Sequence, residues 1–167
     1  MRDIAKAMGM EAASLYNHID SKQSILSELL LNIAKEFTDG MAAVQSMEIP
    51  SIKKLEALVS LHVRLTVQYN DSISLIPGEW VHLEGKSIRE FTKLRDHYEL
   101  AFKDIMKECI KEGSLRDQNI EITSFSILST LRWLYSWFSK NKNIDVHILE
   151  EEMIQSLIYG LKATNID

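Results

Sequence analysis

Apolar residues recur at helical spacing along almost the whole chain, and this pattern constrains the fold more strongly than any other feature of the sequence. After Ser21 they form a stripe along one helix face, at Ile25, Leu26, Leu29, Leu30, Ile33, Ala34 and Phe37. Similar stripes continue as far as Leu161. No run of alternating polarity is longer than a few residues, and 6 Gly and 2 Pro among 167 residues leave few turn formers for a many-stranded sheet. The sequence therefore predicts an all-α protein.

Caps and breakers predict where the helices begin and end. Ser21 is the expected N-cap of the first long helix, which is expected to end just before Gly40. Pro77 is expected in the first turn of a short helix. The glutamates at 150–152 are expected in the first turn of the last helix, where negative charge complements the helix dipole. The later helices are predicted at about residues 51–69, 77–83, 88–110, 121–139 and 149–161.

Charge and composition exclude several classes of protein. A net charge of -5 argues against nonspecific binding to nucleic acid or membranes. The chain starts without the charged and apolar segments of a signal peptide, and no apolar run approaches the roughly 18 residues of a membrane span. The single Cys109 excludes an internal disulfide and a cysteine zinc site. We therefore expect a cytoplasmic protein that is not inserted in a membrane.

The sequence lacks the constellations that support catalysis. It contains no Gly-rich phosphate loop, no HExxH pattern and no nucleophile–base spacing. His62, His82 and His97 lie on different predicted helices, and a metal site needs three or four ligands in one shell. Solvated or singly hydrogen-bonded histidines are the more common case. We expect no enzyme activity, no cofactor and no metal.

The first 22 residues carry the pattern of a helix-turn-helix. Residues 3–9 form a short helical segment ended by Gly9, and residues 11–19 form a second segment whose apolar face can pack on the first. In this motif the second helix enters the major groove. Small side chains, including Ala13 and Ser14, allow close approach to base edges. Four further side chains can donate hydrogen bonds to phosphates: Tyr16, Asn17, His18 and Lys22. From spacing alone, the first hairpin of a helical bundle is the preferred interpretation.

The exact string changes that preference. Residues 2–22, RDIAKAMGMEAASLYNHIDSK, resemble the helix-turn-helix of the TetR family of bacterial transcriptional regulators. The closest part is SLYNHIDSK at residues 14–22. The resemblance implies DNA-backbone contacts for Tyr16, His18 and Lys22. It also implies that Ala13 and Ser14 face the bases.

Three features depart from the family pattern. Ile19 stands where Phe is common, and Glu11 stands where Ser or Thr usually caps the recognition helix, so that a carboxylate repels nearby phosphate. The full helix that precedes the pair in the family is absent before Arg2. The resemblance therefore implies a truncated DNA-binding head at residues 1–40 and a helical ligand-binding and dimerisation domain at residues 45–167.

The resemblance also implies that the last two helices pair two copies into a homodimer. The apolar stripe from Leu149 to Leu161 and the close approach that Gly160 permits agree with this interpretation. The alternative is that this face packs within one chain. Trp133 and Trp137 share a face of the preceding helix. Core or interface is the preferred interpretation for them, and the wall of a ligand cavity is the alternative.

A further segment resembles a subgroup of TetR regulators that often respond to acyl-CoA thioesters in lipid or sterol catabolism. It comprises EWVHL at residues 79–83 and RDHYE at residues 95–99. The resemblance implies an apolar tunnel for the acyl part, lined by Trp80, Phe91, Tyr98 and Trp133. Arg95 or Arg132 would then bind phosphates bidentately. The alternative is that each arginine pairs with a nearby carboxylate on the surface.

Together these features predict a ligand-responsive repressor. It would bind a palindromic double-stranded operator as a dimer and leave it when a small hydrophobic or acyl-CoA-like effector binds. The alternative is a helical small-molecule or partner-binding protein that no longer binds DNA. The charge of the head favours this alternative, because residues 1–38 hold 4 Lys and Arg against 5 Asp and Glu.

Overall fold

Residues 2–9 and 21–160 are described by a computed structural model of the chain, in which every regular element of these ranges is a helix. The helices are α1 (Arg2–Ala7), α2 (Lys22–Gln45), α3 (Ser51–Gln68), α4 (Asn70–Glu79), a 3₁₀ turn (Trp80–His82), α5 (Gly85–Lys111), α6 (Ile120–Phe138), α7 (Val146–Ile154) and a π-helical turn (Gln155–Tyr159). The prediction of an all-α protein is thereby confirmed for the described part of the chain.

The start of α2 is as predicted, but its end is not. Ser21 caps the helix, because its hydroxyl oxygen accepts a hydrogen bond from the Ser24 amide at 3.0 Å. In return, the Ser21 amide donates to the Ser24 hydroxyl oxygen at 3.2 Å. The predicted end before Gly40 is wrong, since α2 runs through it to Gln45. A Cβ at Gly40 would lie 2.6 Å from Cδ2 of Leu61. This glycine therefore permits close helix packing and does not end the helix.

The prediction for Pro77 is also wrong. The helix that contains it begins at Asn70, where the Tyr69 carbonyl accepts the amide of Ile73 at 2.9 Å, and Ile73 is buried. Tertiary burial thus starts the helix well before the proline. Pro77 falls in the last turn, and the helix ends at Glu79.

The last helix begins earlier than predicted as well. Asp145 is its N-cap, and the Asp145 carboxylate accepts the amides of His147 at 2.8 Å and Ile148 at 3.3 Å. Residues 150–152 therefore lie beyond the first turn. Glu150 is buried and pairs bidentately with Arg64 of α3 at 2.8 and 2.9 Å. The regular part of this segment ends before Gly160, and Leu161 lies outside the described residues.

The core lies where α3, α5 and α6 meet. Leu58, Phe102, Met106 and Leu131 are among its fully buried side chains. This cluster sets the spacing of the long helices around the cavity described below.

A second cluster joins the first half of α2 to the 3₁₀ turn and α5. Leu30, Leu83 and Phe91 are buried together there. The side-chain amide of Gln23 donates a hydrogen bond to the His82 backbone carbonyl at 2.7 Å, which links the beginning of α2 directly to the 3₁₀ turn.

The head begins with the short helix α1. It is followed by Gly9 with φ +66°, as the sequence predicts, and Ala5 is buried. The second helix predicted at residues 11–19 lies outside the described residues.

Candidate effector cavity

A cavity of about 290 Å³ lies between α2, α3, α4, the 3₁₀ turn, α5 and α6. Most of its wall is apolar, as is typical of small-molecule sites. All the residues predicted to bind a ligand lie on this one wall: Trp80, Phe91, Arg95, Tyr98 and Trp133. The structure brings them together, and their binding of a ligand stays a prediction.

The five predicted residues reach the cavity from three elements. Phe91, Arg95 and Tyr98 are spaced by four and three residues on α5, so they project from one helix face. Trp80 comes from the 3₁₀ turn and packs against Phe91 with 6.3 Å between ring centroids. Trp133 comes from α6.

Two guanidinium groups line the cavity, and each also pairs with a carboxylate. Arg95 lies 5.1 Å from the centre of the Trp80 ring and pairs with Asp96 at 3.0 Å. Arg132 pairs with Glu99 at 2.5 Å. Their side chains are 35% and 46% exposed. Each arginine is therefore paired with a surface carboxylate, as the alternative interpretation expects, and its binding of phosphate stays a prediction.

A buried polar pair lies deeper on the wall. The Tyr98 hydroxyl and Nε2 of His62 are 2.9 Å apart, and the Phe37 ring centroid lies 4.7 Å from that of His62. Burial, with a contribution from the charge of Arg132, lowers the pKa of His62 to about 3. Burial raises the pKa of the Tyr98 phenol, which Arg132 partly opposes. Both groups are therefore uncharged near neutral pH.

The sequence predicts Tyr98 as a residue of this site, but not its partner His62. The sequence predicts a solvated or singly hydrogen-bonded histidine at position 62. His62 has one such bond, to Tyr98, and it lies within the cavity wall. The available signal was its position between Leu58 and Thr66, each four residues away, on the buried face of α3.

The outer face of α6 is apolar and exposed. Ile122, Phe125, Trp133 and Trp137 are exposed by 64%, 71%, 60% and 46%. The two tryptophans are therefore not core residues of the single chain, and their place in an interface stays a prediction. Trp133 belongs both to this face and to the cavity wall.

The residues predicted to contact DNA are described in part. Ala13, Ser14, Tyr16, Asn17 and His18 lie outside the described ranges. Lys22 is the first residue of α2 and is exposed.

The three histidines considered as metal ligands, His62, His82 and His97, do not form a cluster. His82 and His97 are exposed while His62 is buried, and no cluster of three His, Cys, Asp or Glu side chains suited to a metal occurs in residues 2–9 and 21–160. In the same ranges, no helix is long and apolar enough to cross a membrane.

Fold and cavity together define a helical bundle with an apolar cavity between its long helices. Residues 48–161 match the family described as tetracyclin repressor-like, C-terminal domain. The chain belongs to the TetR family of transcriptional regulators, which confirms the resemblance of its N-terminal string.

Known relatives agree with this assignment. The chain is 24% identical over 166 residues to the HTH-type transcriptional repressor KstR2 of Rhodococcus jostii (strain RHA1), covering 98% of this chain and 81% of that protein. Its structure resembles the TetR family regulator PfmR from Thermus thermophilus, with a TM-score of 0.85 and 22% identity over 97% and 88% of the two chains. It also resembles AibR, solved with isovaleryl coenzyme A and operator DNA, with a TM-score of 0.80 and 20% identity over 96% and 87%. KstR2 and PfmR are transcriptional regulators.

Proposed function

We propose that this protein is a dimeric repressor that leaves its operator when an acyl-CoA-like effector fills the cavity. The observation that carries the proposal is an apolar cavity with two arginines on its wall, in a chain of the TetR family. The repressor role of KstR2 and the coenzyme A thioester bound to AibR support it.

The wall accounts for an amphipathic effector. Trp80, Phe91, Tyr98 and Trp133 hold the acyl part by excluding water. To bind phosphate, Arg95 gives up its pair with Asp96, and Arg132 gives up its pair with Glu99. A dianionic phosphate displaces these carboxylates because it attracts a guanidinium more strongly than one exposed carboxylate does.

The 3₁₀ turn provides the link from the cavity to the head. Trp80 lies on the cavity wall, and two residues later the His82 carbonyl accepts the hydrogen bond of Gln23 at the start of α2. An effector that moves Trp80 therefore acts on α2, the helix that joins the head to the rest of the chain. It favours a head orientation that does not match the operator and shifts the population off DNA.

The head and the dimer complete the proposal. Residues 1–40 act as the DNA-binding head, and residues 45–167 bind effector and partner. Ala13 and Ser14 face bases, while Tyr16, Asn17, His18 and Lys22 contact phosphates. The exposed face of α6, together with exposed side chains of α7 such as Ile148, pairs two copies. The apolar stripe from Leu149 to Ile158 does not take part, because it packs against the core of its own chain. Two recognition helices then reach successive major grooves, about 34 Å apart.

The proposal is tested by an electrophoretic mobility shift on the DNA upstream of its own gene. We expect a salt-sensitive shift that resists nonspecific competitor and is lost on adding an acyl-CoA. The Tyr16→Phe variant should weaken binding to all sequences, whereas Ser14→Ala should alter sequence preference. Binding of acyl-CoA without any shift would instead favour the helical binding protein that no longer contacts DNA.

A further inference from the structure

Two buried polar side chains on the cavity wall have atoms without a partner. His62 and Thr66 lie one turn apart on the same face of α3 and are 5% and 1% exposed. His62 uses Nε2 for its bond with Tyr98. Within residues 2–9 and 21–160, neither Nδ1 of His62 nor the Thr66 hydroxyl has a hydrogen-bond partner. A buried polar atom left without a partner costs stability, so its position marks a place for a ligand atom.

Both residues line the cavity. In the described ranges, the Oδ1 atom of Asn70 is the one side-chain polar atom that is both sealed inside the protein and unpartnered. The unpartnered atoms of His62 and Thr66 are therefore not sealed, and the free space beside these two residues is the cavity that they line.

The pair of His62 and Tyr98 offers the cavity a proton donor in either arrangement. If the Tyr98 hydroxyl donates to Nε2, the ring proton of neutral His62 lies on Nδ1. If Nε2 donates instead, the phenolic proton is the one left to donate. The Thr66 hydroxyl supplies a second donor beside it. Since the pair carries no charge, an uncharged oxygen is satisfied here by hydrogen bonds alone.

We propose that the effector carries an uncharged carbonyl oxygen at its buried end, held by His62 and Thr66. This inference rests on the proposed function and deepens it, because it narrows the effector from a plain acyl group to an oxo-acyl group. The apolar middle of the effector then contacts the aromatic wall, and its anionic end meets Arg95 and Arg132.

Matched pairs of thioesters test the proposal by isothermal titration calorimetry. The pairs are hexanoyl-CoA with 5-oxohexanoyl-CoA, and cyclohexanecarboxyl-CoA with 4-oxocyclohexanecarboxyl-CoA. The variants are Thr66→Val, His62→Phe and a matched control, Thr38→Val. Thr38 also lines the cavity, but its hydroxyl already donates to the carbonyls of Ala34 at 3.1 Å and Lys35 at 3.0 Å.

We expect the oxo member of at least one pair to bind about tenfold more tightly than its parent. Thr66→Val and His62→Phe should reduce this preference to about threefold or less, and Thr38→Val should retain it. Equal affinities within both pairs, or a preference that survives Thr66→Val, would overturn the oxo-acyl assignment while leaving the proposed function intact. If none of the four thioesters binds, the acyl-CoA effector and this inference both fall.

Discussion

The close contact between Gly40 and Leu61 makes an unusual substitution series informative. In the interior of an exposed helix, Gly→Ala stabilises by about 1 kcal/mol. At Gly40 the added Cβ would lie 2.6 and 2.7 Å from the two methyl carbons of Leu61 and 3.2 Å from its Cγ. Overpacking of this kind costs roughly 1–3 kcal/mol, because Leu61 must leave its rotamer or the two helices must separate.

We therefore expect Gly40→Ala to lower the free energy of unfolding by about 1 kcal/mol, since the steric cost exceeds the gain in helix propensity. In a Leu61→Ala background the methyl carbons are gone, and the same substitution should stabilise by about 1 kcal/mol. The coupling energy between the two positions is then about 2 kcal/mol.

Urea unfolding followed by circular dichroism measures all four proteins of this cycle. Protein concentration is held constant, because association of subunits makes apparent stability concentration-dependent. Gly78→Ala is the control, since nothing lies within 4 Å of a Cβ placed there. A stabilising Gly40→Ala in the parent background, or additive effects of the two substitutions, would refute the packing argument.

Three further predictions concern charge and coupling. Arg64→Met should lower the free energy of unfolding by about 1 kcal/mol at pH 7, a value discounted for the exposure of the Arg64 side chain. The pair with Arg64 lowers the pKa of Glu150, so the difference in Tm between variant and parent should shrink as the pH falls below about 4. His62 has a pKa of about 3 in the folded protein, far below its ordinary value, so the unfolded chain binds an extra proton as the pH falls. Between about pH 6.5 and pH 4, the Tm of the parent should therefore fall more than the Tm of His62→Gln. Equal slopes of Tm against pH for the two proteins would contradict this. Gln23→Ala removes the bond to His82 and should reduce effector-induced release of operator DNA by about two- to tenfold in fluorescence anisotropy, with free-protein DNA affinity as the control.

Much of the helical architecture could be predicted from the sequence, because each long stripe has a single period. The errors lie where a tertiary contact outweighs a local signal. Gly40 was expected to end a helix, but Leu61 occupies the space beside it. Pro77 was expected to start one, but burial of Ile73 extends α4 backward.

The cavity could be predicted in part. The aromatic and arginine positions were inferred by resemblance, and the structure gathers them on one wall. The polar pair of His62 and Tyr98 joins residues 36 positions apart on two helices. No periodicity within one helix indicates such a partner, since that partner depends on how α3 and α5 are placed against each other.

The placement of the tryptophans also allows their intrinsic fluorescence to report on the cavity. The chain has three of them, and Trp80 and Trp133 lie on the cavity wall while Trp137 does not. Arg95 covers the Trp80 ring, so any anion that draws this guanidinium away changes the electric field felt by the indole. Occupancy of the cavity is therefore readable as a shift in intrinsic fluorescence, without a label, and Trp80→Phe identifies the ring that reports it.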